Sequence, residues 1–407
     1  MSAIAPKNGA TVARPCESFP YLCGQLAYTP PMKTLLLSLL LLAGCCGLAK
    51  AQGVDDPQDA YLMVYFTDQD HCLHFAVSFD GYAFTAVNDN YAILSGDTIA
   101  DQRGVRDPFI MTRPAAKDGG VGEAPTYILA ATDLHINAQR EGKRQTQWER
   151  GQEYGWGNNR SMVILQSPDL IHWTHSLLTI ADIPGYEDIG CAWAPEMLWD
   201  AEQQAVLIYW TMRFHSGPNK VYYAYLNDDL TALATEPKLI MELPDGGTYI
   251  DADIVQGADG RWYMTYVSHQ TRVPGVKVAV ADSPTGPYEY REPYIDQEEK
   301  ACEAPNVWRR QGTDTFVLMY DCYGINPPNF GFLETEDFQT FRNLGHFNDS
   351  IMQSTNFSRP KHGAVMPISR SQGEQLLQYW QENPDHTTSF SPQPMQPRRP
   401  RRLPTED

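Results

Sequence analysis

The sequence predicts an all-β fold, a five-bladed β-propeller with ring closure between its N- and C-terminal strands. Three observations carry this reading. First, acidic residues recur at the start of four similar β-type segments: Arg106-Asp107-Pro108-Phe109-Ile110, Trp193-Ala194-Pro195-Glu196-Met197, Ile250-Asp251-Ala252-Asp253-Ile254 and Cys302-Glu303-Ala304-Pro305-Asn306-Val307. Second, each is followed by a β-branched and aromatic run, at 127–132, 205–211, 261–267 and 314–320, of strand-forming composition. Third, each unit ends in a turn signature such as Ser167-Pro168-Asp169-Leu170, Asn227-Asp228-Asp229-Leu230, Ser283-Pro284-Thr285-Gly286 or Thr335-Glu336-Asp337-Phe338. Repeats of roughly 50 to 90 residues mean propeller blades or a solenoid.

The fifth unit is divided between the chain ends. Residues 362–368 and 375–380 are expected to supply its first two strands, while 61–66, 74–79 and the turn Ser78-Phe79-Asp80-Gly81 supply the outer pair. Such a join leaves no open sheet edge around the ring. A two-sheet sandwich is the plainer alternative, but it offers no reason for a five-fold repetition.

The chain has 407 residues, 42% hydrophobic and 11% aromatic, enough for one large all-β domain. The propeller is expected over residues 60–381. A formal net charge of -19 disfavours a nucleic acid partner and suits a neutral ligand such as a carbohydrate. Residues 1–51 read as leader and signal peptide, with translation starting at Met32, an apolar run from Leu35 to Ala43, and Ala49-Lys50-Ala51 as cleavage site. The run is about half the ~20 residues a spanning helix needs, so no transmembrane segment is expected. Leu42-Ala43-Gly44-Cys45 resembles a bacterial lipoprotein box, so a lipid anchor at Cys45 is the alternative to a soluble exported form. Either form places the protein outside the bacterial cytoplasm: periplasmic, extracellular or on the outer surface. Residues 389–407, rich in Pro and Arg, read as a disordered tail. Cys72, Cys191, Cys302 and Cys322 show no paired spacing and are expected to be buried free thiols.

If innermost strands begin at the repeated acids, the loops after the second strands emerge on the same face. Those loops carry Trp156, Asn158, His215, His269, Arg272 and Tyr323, with Arg160 at the edge of the long 133–159 loop. Flat aromatics mixed with planar hydrogen-bonding groups suit a sugar's apolar face and hydroxyl edge. Trp193 and Glu196 join them from the second blade as substrate contacts. Inverting hydrolysis of a glycosidic bond needs a carboxylate base and a protonated carboxyl acid roughly 6.5–9.5 Å apart. A third carboxylate close to the acid would help keep it protonated. Asp107, Asp251 and Glu303 could fill these parts, with Glu196 and Asp253 in reserve. Asp251 and Asp253 lie two apart on a strand and would face the same way, leaving an exchange of their roles open.

The D-P-x-I string at Asp107, the I-D-x-x-I string at Asp251 with Asp259-Gly260 after it, the E-A-P at Glu303 and the late His362-Gly363 resemble glycoside hydrolase family 43. The resemblance covers about residues 60 to 381. It implies that Asp107 is the catalytic base, Asp251 the modulating and orienting carboxylate, and Glu303 the general acid. It also implies that His362 is the channel histidine that helps hold a calcium ion or a water cluster. No cofactor is then required for the chemistry, and Ca2+ would be structural. One departure is Ala252, where the family usually has Pro after the modulator. The W-M-N-D-P-N string of invertase-like propellers is absent, as are Ser/His/Asp, phosphate-loop and H-E-x-x-H motifs. The expected function is an exported inverting exo-glycosidase that releases a terminal α-L-arabinofuranosyl or β-D-xylosyl unit from a plant-type polysaccharide or oligosaccharide. The alternatives are the same fold acting on galactose, or a carbohydrate-binding propeller without catalysis.

Overall fold

Strands supply nearly all the regular structure in the computed structural model, which describes residues 59–115 and 126–386. The leader with Met32 and Cys45, and the 389–407 tail, lie outside the described residues. From inside outwards, blade one is Val105–Arg113, Thr126–Asp133, Ser161–Ser167 and Thr174–Thr179. Blade two is Ile189–Asp200, Ala205–Phe214, Lys220–Tyr225 and Lys238–Leu239. Blade three is Tyr249–Gln256, Trp262–Ser268, Gly275–Ala281 and Glu289–Tyr294, and blade four is Glu303–Arg309, Phe316–Cys322, Asn329–Thr335 and Arg342–His346. Innermost strands of successive blades touch, and that of blade five, Lys361–Ile368, touches both blade four and blade one. The described residues form a closed five-bladed propeller.

The closure differs from the expectation in one respect. Lys361–Ile368 pairs directly with Ala60–Phe66, which is the second strand of the blade, followed by His74–Ser78 and Ala83–Ala86. A two-residue strand, Gln353–Ser354, adds in parallel at the outer edge. Residues 375–380, expected as a strand, lie instead within the helix Arg370–Glu382. The cause is local. Ser369 caps the helix by accepting from the Gln372 N–H while the Gln372 side chain accepts from the Ser369 N–H. Gly373, Leu376 and Trp380 are the residues this helix buries, three and four apart, a helical rather than an alternating spacing.

Two local devices repeat around the ring. The turn after each third strand places its fourth residue at positive φ: Gly81, Leu170, Leu230, Gly286 and Phe338. In three blades a hydroxyl at the turn's first position accepts from that residue's N–H, as Ser78 Oγ from Gly81 at 2.9 Å, Ser167 Oγ from Leu170 at 2.8 Å and Thr335 Oγ1 from Phe338 at 2.9 Å. Asp80, Asp169 and Asp337 then cap the two following N–H groups. The core is built between blades, with five apolar clusters among the described residues, one for each neighbouring pair. Strand Ala60–Phe66 shows why both faces must be apolar. Leu62 and Val64 pack towards blade one, whereas Tyr61, Met63 and Tyr65 pack towards blade four. Cys72, Cys191, Cys302 and Cys322 are buried and free. Among the described residues no helix is long and apolar enough to cross a membrane.

Candidate active site

Every innermost strand carries the same irregularity where its side chains reach the channel mouth. Two residues stand opposite one on the second strand: Asp107-Pro108, Ala194-Pro195, Asp251-Ala252, Ala304-Pro305 and His362-Gly363. The first of each pair has positive φ, 51° at Asp107, 46° at Ala194, 51° at Asp251, 56° at Ala304 and 24° at His362. A bulge of this kind bends the strand and re-aims a side chain, and non-glycine residues at positive φ are costly enough to persist only where surrounding structure holds them. At the fifth bulge glycine is needed next to the histidine, since a Cβ on Gly363 would lie 2.5 Å from the Val64 carbonyl oxygen.

The bulges correct the idea of one acid repeated at equivalent stations. Asp107 and Asp251 occupy the bulge position itself, Glu303 precedes it by one residue, and Glu196 and Asp253 follow it by two. Two layers result. The upper layer is charged and mixed in sign. Asp107 Oδ1 lies 3.2 Å from His362 Nδ1, and its Oδ2 accepts from Thr132 Oγ1 at 2.8 Å. Burial works to raise the Asp107 carboxyl, but His362, Arg106 and the Thr132 hydroxyl outweigh it and hold it at about 2. Burial pushes Asp251 up to about 7, with the charges of Glu303 and Asp107 adding to the rise and His362 opposing it. His362 shows the converse: burial would lower its imidazole, yet Asp107, Asp251 and Glu303 together raise it. Glu303 is part-exposed, with Oε1 3.5 Å from Lys361 Nζ.

The lower layer has no cation among its recorded partners. Glu196 and Asp253 are each 2% exposed and share a side-chain hydrogen bond. Tyr209 OH lies 3.4 Å from Glu196 Oε2 and 3.5 Å from Asp253 Oδ1. Asn306 Nδ2 and the Val307 N–H donate to Asp253 Oδ2. Burial first, then the neighbouring acid, raises Glu196 well above the usual carboxylate range, and burial raises Asp253 to about 6. The bulge breaks the strand's alternation, so Asp251 and Asp253, expected to face the same way, stand in different layers. Glu196, expected as a substrate contact, is buried and faces Asp253 and Tyr209.

The loop residues divide similarly. Trp156 is 59% exposed and meets Trp193 edge-on at 5.8 Å, and Tyr323 is 37% exposed with its ring 5.4 Å from Lys361 Nζ. His269 is exposed and within electrostatic reach of Glu303. His215 is exposed and stacks on Tyr154 at 5.3 Å. These can meet a ligand. Asn158, expected to do so, is fully buried and spends its amide on the backbone of its own loop, with Nδ2 on the carbonyls of Arg150, Gly151 and Gly155 and Oδ1 on the Arg150 N–H. Arg160 turns to Asp182 at 2.9 Å beside the outermost strand of its blade, and Arg272 is committed to Asp296 and the Glu298 carbonyl. Arg213, not anticipated, pins the long loop: its guanidinium donates to the carbonyls of Tyr154 and Trp156 and lies 4.6 Å from the Trp193 ring centre.

The calcium expectation rested on His362. Its Nδ1 lies 3.2 Å from Asp107 Oδ1, and the charges of Asp107, Asp251 and Glu303 raise its imidazole above the usual value. Among the described residues, the groups of three ligand-type side chains within reach of one another are Glu298, Cys322 and His346, and Asp101, Asp133 and Glu149; neither includes it.

An acid whose carboxyl is held low, a second buried acid whose carboxyl is pushed up and a third part-exposed acid, all gathered around one imidazole, are groups able to take up and deliver protons. Comparison with known proteins gives the family. The family model related to glycosyl hydrolase family 43 and described as "Probable glycosyl hydrolase domain" matches residues 56–374. A curated alpha-L-arabinofuranosidase of Bifidobacterium longum subsp. longum is 29% identical over 146 residues, covering 35% of this chain and only 12% of that protein. Among solved structures, xylan beta-1,4-xylosidase from Bacillus halodurans C-125 superposes with a TM-score of 0.50 at 13% identity, covering 73% of this chain and 54% of that one. An endo-1,4-beta-xylanase from Bacteroides thetaiotaomicron gives 0.49 at 13% identity, over 73% and 94% of the two chains.

Proposed function

The chain belongs to the family of glycosyl hydrolase domains related to family 43, and on that premise we propose that it is an exported, inverting exo-glycosidase that removes a terminal pentose from a plant-type polysaccharide or oligosaccharide. The observation that carries the proposal is the gathering of Asp107, Asp251 and Glu303 around His362 at one channel mouth. Asp107, kept ionised by His362, accepts a proton from the water that attacks the anomeric carbon. Glu303 gives its proton to the glycosidic oxygen as the carbon–oxygen bond breaks. Asp251, whose carboxyl is pushed up by burial and by the charges of Glu303 and Asp107, orients the ring and disfavours a further negative charge in the mouth. Trp156 and Tyr323 offer flat exposed faces for sugar rings. The pentose is suggested by the names of the relatives, an arabinofuranosidase and a xylosidase.

Turnover of a panel of aryl α-L-arabinofuranoside, β-D-xyloside and β-D-galactoside tests the reading. Release from one pentoside, with proton NMR showing the inverted anomer first, supports it. Release from the galactoside alone changes the sugar, the retained anomer overturns the mechanism, and glycan binding without any product makes the propeller a binding module.

A further inference from the structure

A cation beside a proton-donating carboxyl is unexpected, because it favours the ionised form that cannot donate. Lys361 stands in that place. It precedes the His362 bulge, it is 8% exposed at its side chain, and its Nζ lies 3.5 Å from Glu303 Oε1 and 2.7 Å from Asp321 Oδ2. Asp321 is fully buried at the end of the second strand of blade four, directly opposite Glu303 in register. The same Oδ2 accepts from the His362 N–H at 3.4 Å, and Oδ1 has no hydrogen-bond partner. One buried carboxylate therefore ties the lysine next to Glu303 to the backbone that aims His362 at Asp107.

We propose that Lys361 and Asp321 are positioning residues, a charge-balanced strut that holds the Glu303 carboxyl in place and sets the pH at which it exchanges its proton. The inference rests on the reading of Glu303 as proton donor. Lys361 supplies the nearby positive charge, and Asp321 cancels most of it. The other charged and titratable groups in reach of Glu303 are Asp251 and His269 from blade three, Tyr323 from blade four, Arg106 from blade one and His362 from blade five. His362 also lies between Glu303 and the buried acids Asp107 and Asp251, but Lys361 and Asp321 are the two opposite charges of one ion pair beside Glu303, so removing either member of the strut should act with its own sign.

The test is a 13C NMR titration of side-chain carboxyls in the full chain, with the Glu303 resonance assigned by its loss in E303Q. Asp321→Asn leaves Lys361 uncompensated and moves the Glu303 midpoint down by about 1 pH unit; Lys361→Met leaves Asp321 uncompensated and moves it up by about as much. The double variant falls between them, and Lys361→Arg stays near wild type. The alkaline limb of kcat/KM on an aryl glycoside follows the same order. Should Lys361→Met fail to fold, the double variant against Asp321→Asn carries the sign. Midpoints that move in the same direction in both single variants, or in neither, overturn the strut. Absence of turnover in the wild type would instead remove the glycosidase reading, while the titration still decides the strut.

Discussion

The two acid layers of the channel differ in one respect that governs their chemistry. The upper acids, Asp107, Asp251 and Glu303, share their space with His362, Arg106 and Lys361; the lower pair, Glu196 and Asp253, have each other, a tyrosine, an amide and backbone N–H groups. Asp107 is held at about 2 beside His362 and Arg106, whereas Asp253 is raised to about 6 and Glu196 well above the usual carboxylate range; Asp251, buried among the upper acids, is likewise raised, to about 7. Burial by itself favours the neutral acid, and a close cation with hydrogen bonds to the ionised form reverses that preference at Asp107. A carboxylate in a propeller channel is thus reactive or structural according to its neighbours.

The comparison breaks most readily in activity. Asp107→Asn should lower kcat/KM on a cleaved aryl glycoside by roughly 10²–10⁴-fold, the worth of a positioned acid or base, whereas Glu196→Gln should keep it within a few-fold. Equal losses would erase the distinction between layers.

Stability against pH sharpens it. Glu196 and Asp253 have raised values in the folded protein, so the folded state binds their protons more tightly than the unfolded chain does. Their contribution is fully present below the unfolded value of about 4 and is lost as pH rises through about 6 for Asp253 and through the raised value of Glu196. Glu196→Gln should match wild type in Tm near pH 4 and exceed it at pH 8, as read by calorimetry. Asp107 has the opposite sign: its contribution is present above about 4 and is lost as pH falls towards about 2. A Glu196→Gln gain that is equal at both pH values would contradict the unpaired buried acids.

Smaller effects separate the bulge from the periphery. Gly363→Ala forces a Cβ onto the Val64 carbonyl and should cost about 1–3 kcal/mol while lowering kcat through displacement of His362. Ser369→Ala removes the helix cap outside the ring and should cost about 1 kcal/mol, with kcat unchanged. Denaturant midpoints paired with turnover distinguish the two; a Gly363→Ala protein with full kcat would show that the bulge does not aim the histidine.

The repeats, the ring and its closure were legible because each blade spells out an apolar inner segment, a second strand and a capped turn in order. The helix Arg370–Glu382 was misread since 375–380, Gln-Leu-Leu-Gln-Tyr-Trp, suits either state, and the deciding signal was Ser369 with Gln372, three residues apart. Asp107, Asp251, Glu303 and His362 stood out by their motifs. Glu196 and Asp253 looked the same in sequence because the bulge that drops them a layer has no one-letter signature beyond a Pro in three blades. Asn158 and Arg272 were polar residues in loops, and only the fold shows that their groups are already bonded to backbone and to Asp296. Lys361 and Asp321 lay in plain strand segments, and their meeting depends on contact between blades five and four.

Glu303→Gln measured on two substrates of the same sugar, one with an activated aryl leaving group and one with an unactivated sugar leaving group, tests the central claim most directly. The account predicts near-complete loss on the unactivated glycoside and substantial residual turnover on the aryl one, since only a poor leaving group needs the proton. Equal loss on both substrates, or no loss on either, would contradict Glu303 as the acid and with it the chemistry assigned to the upper layer.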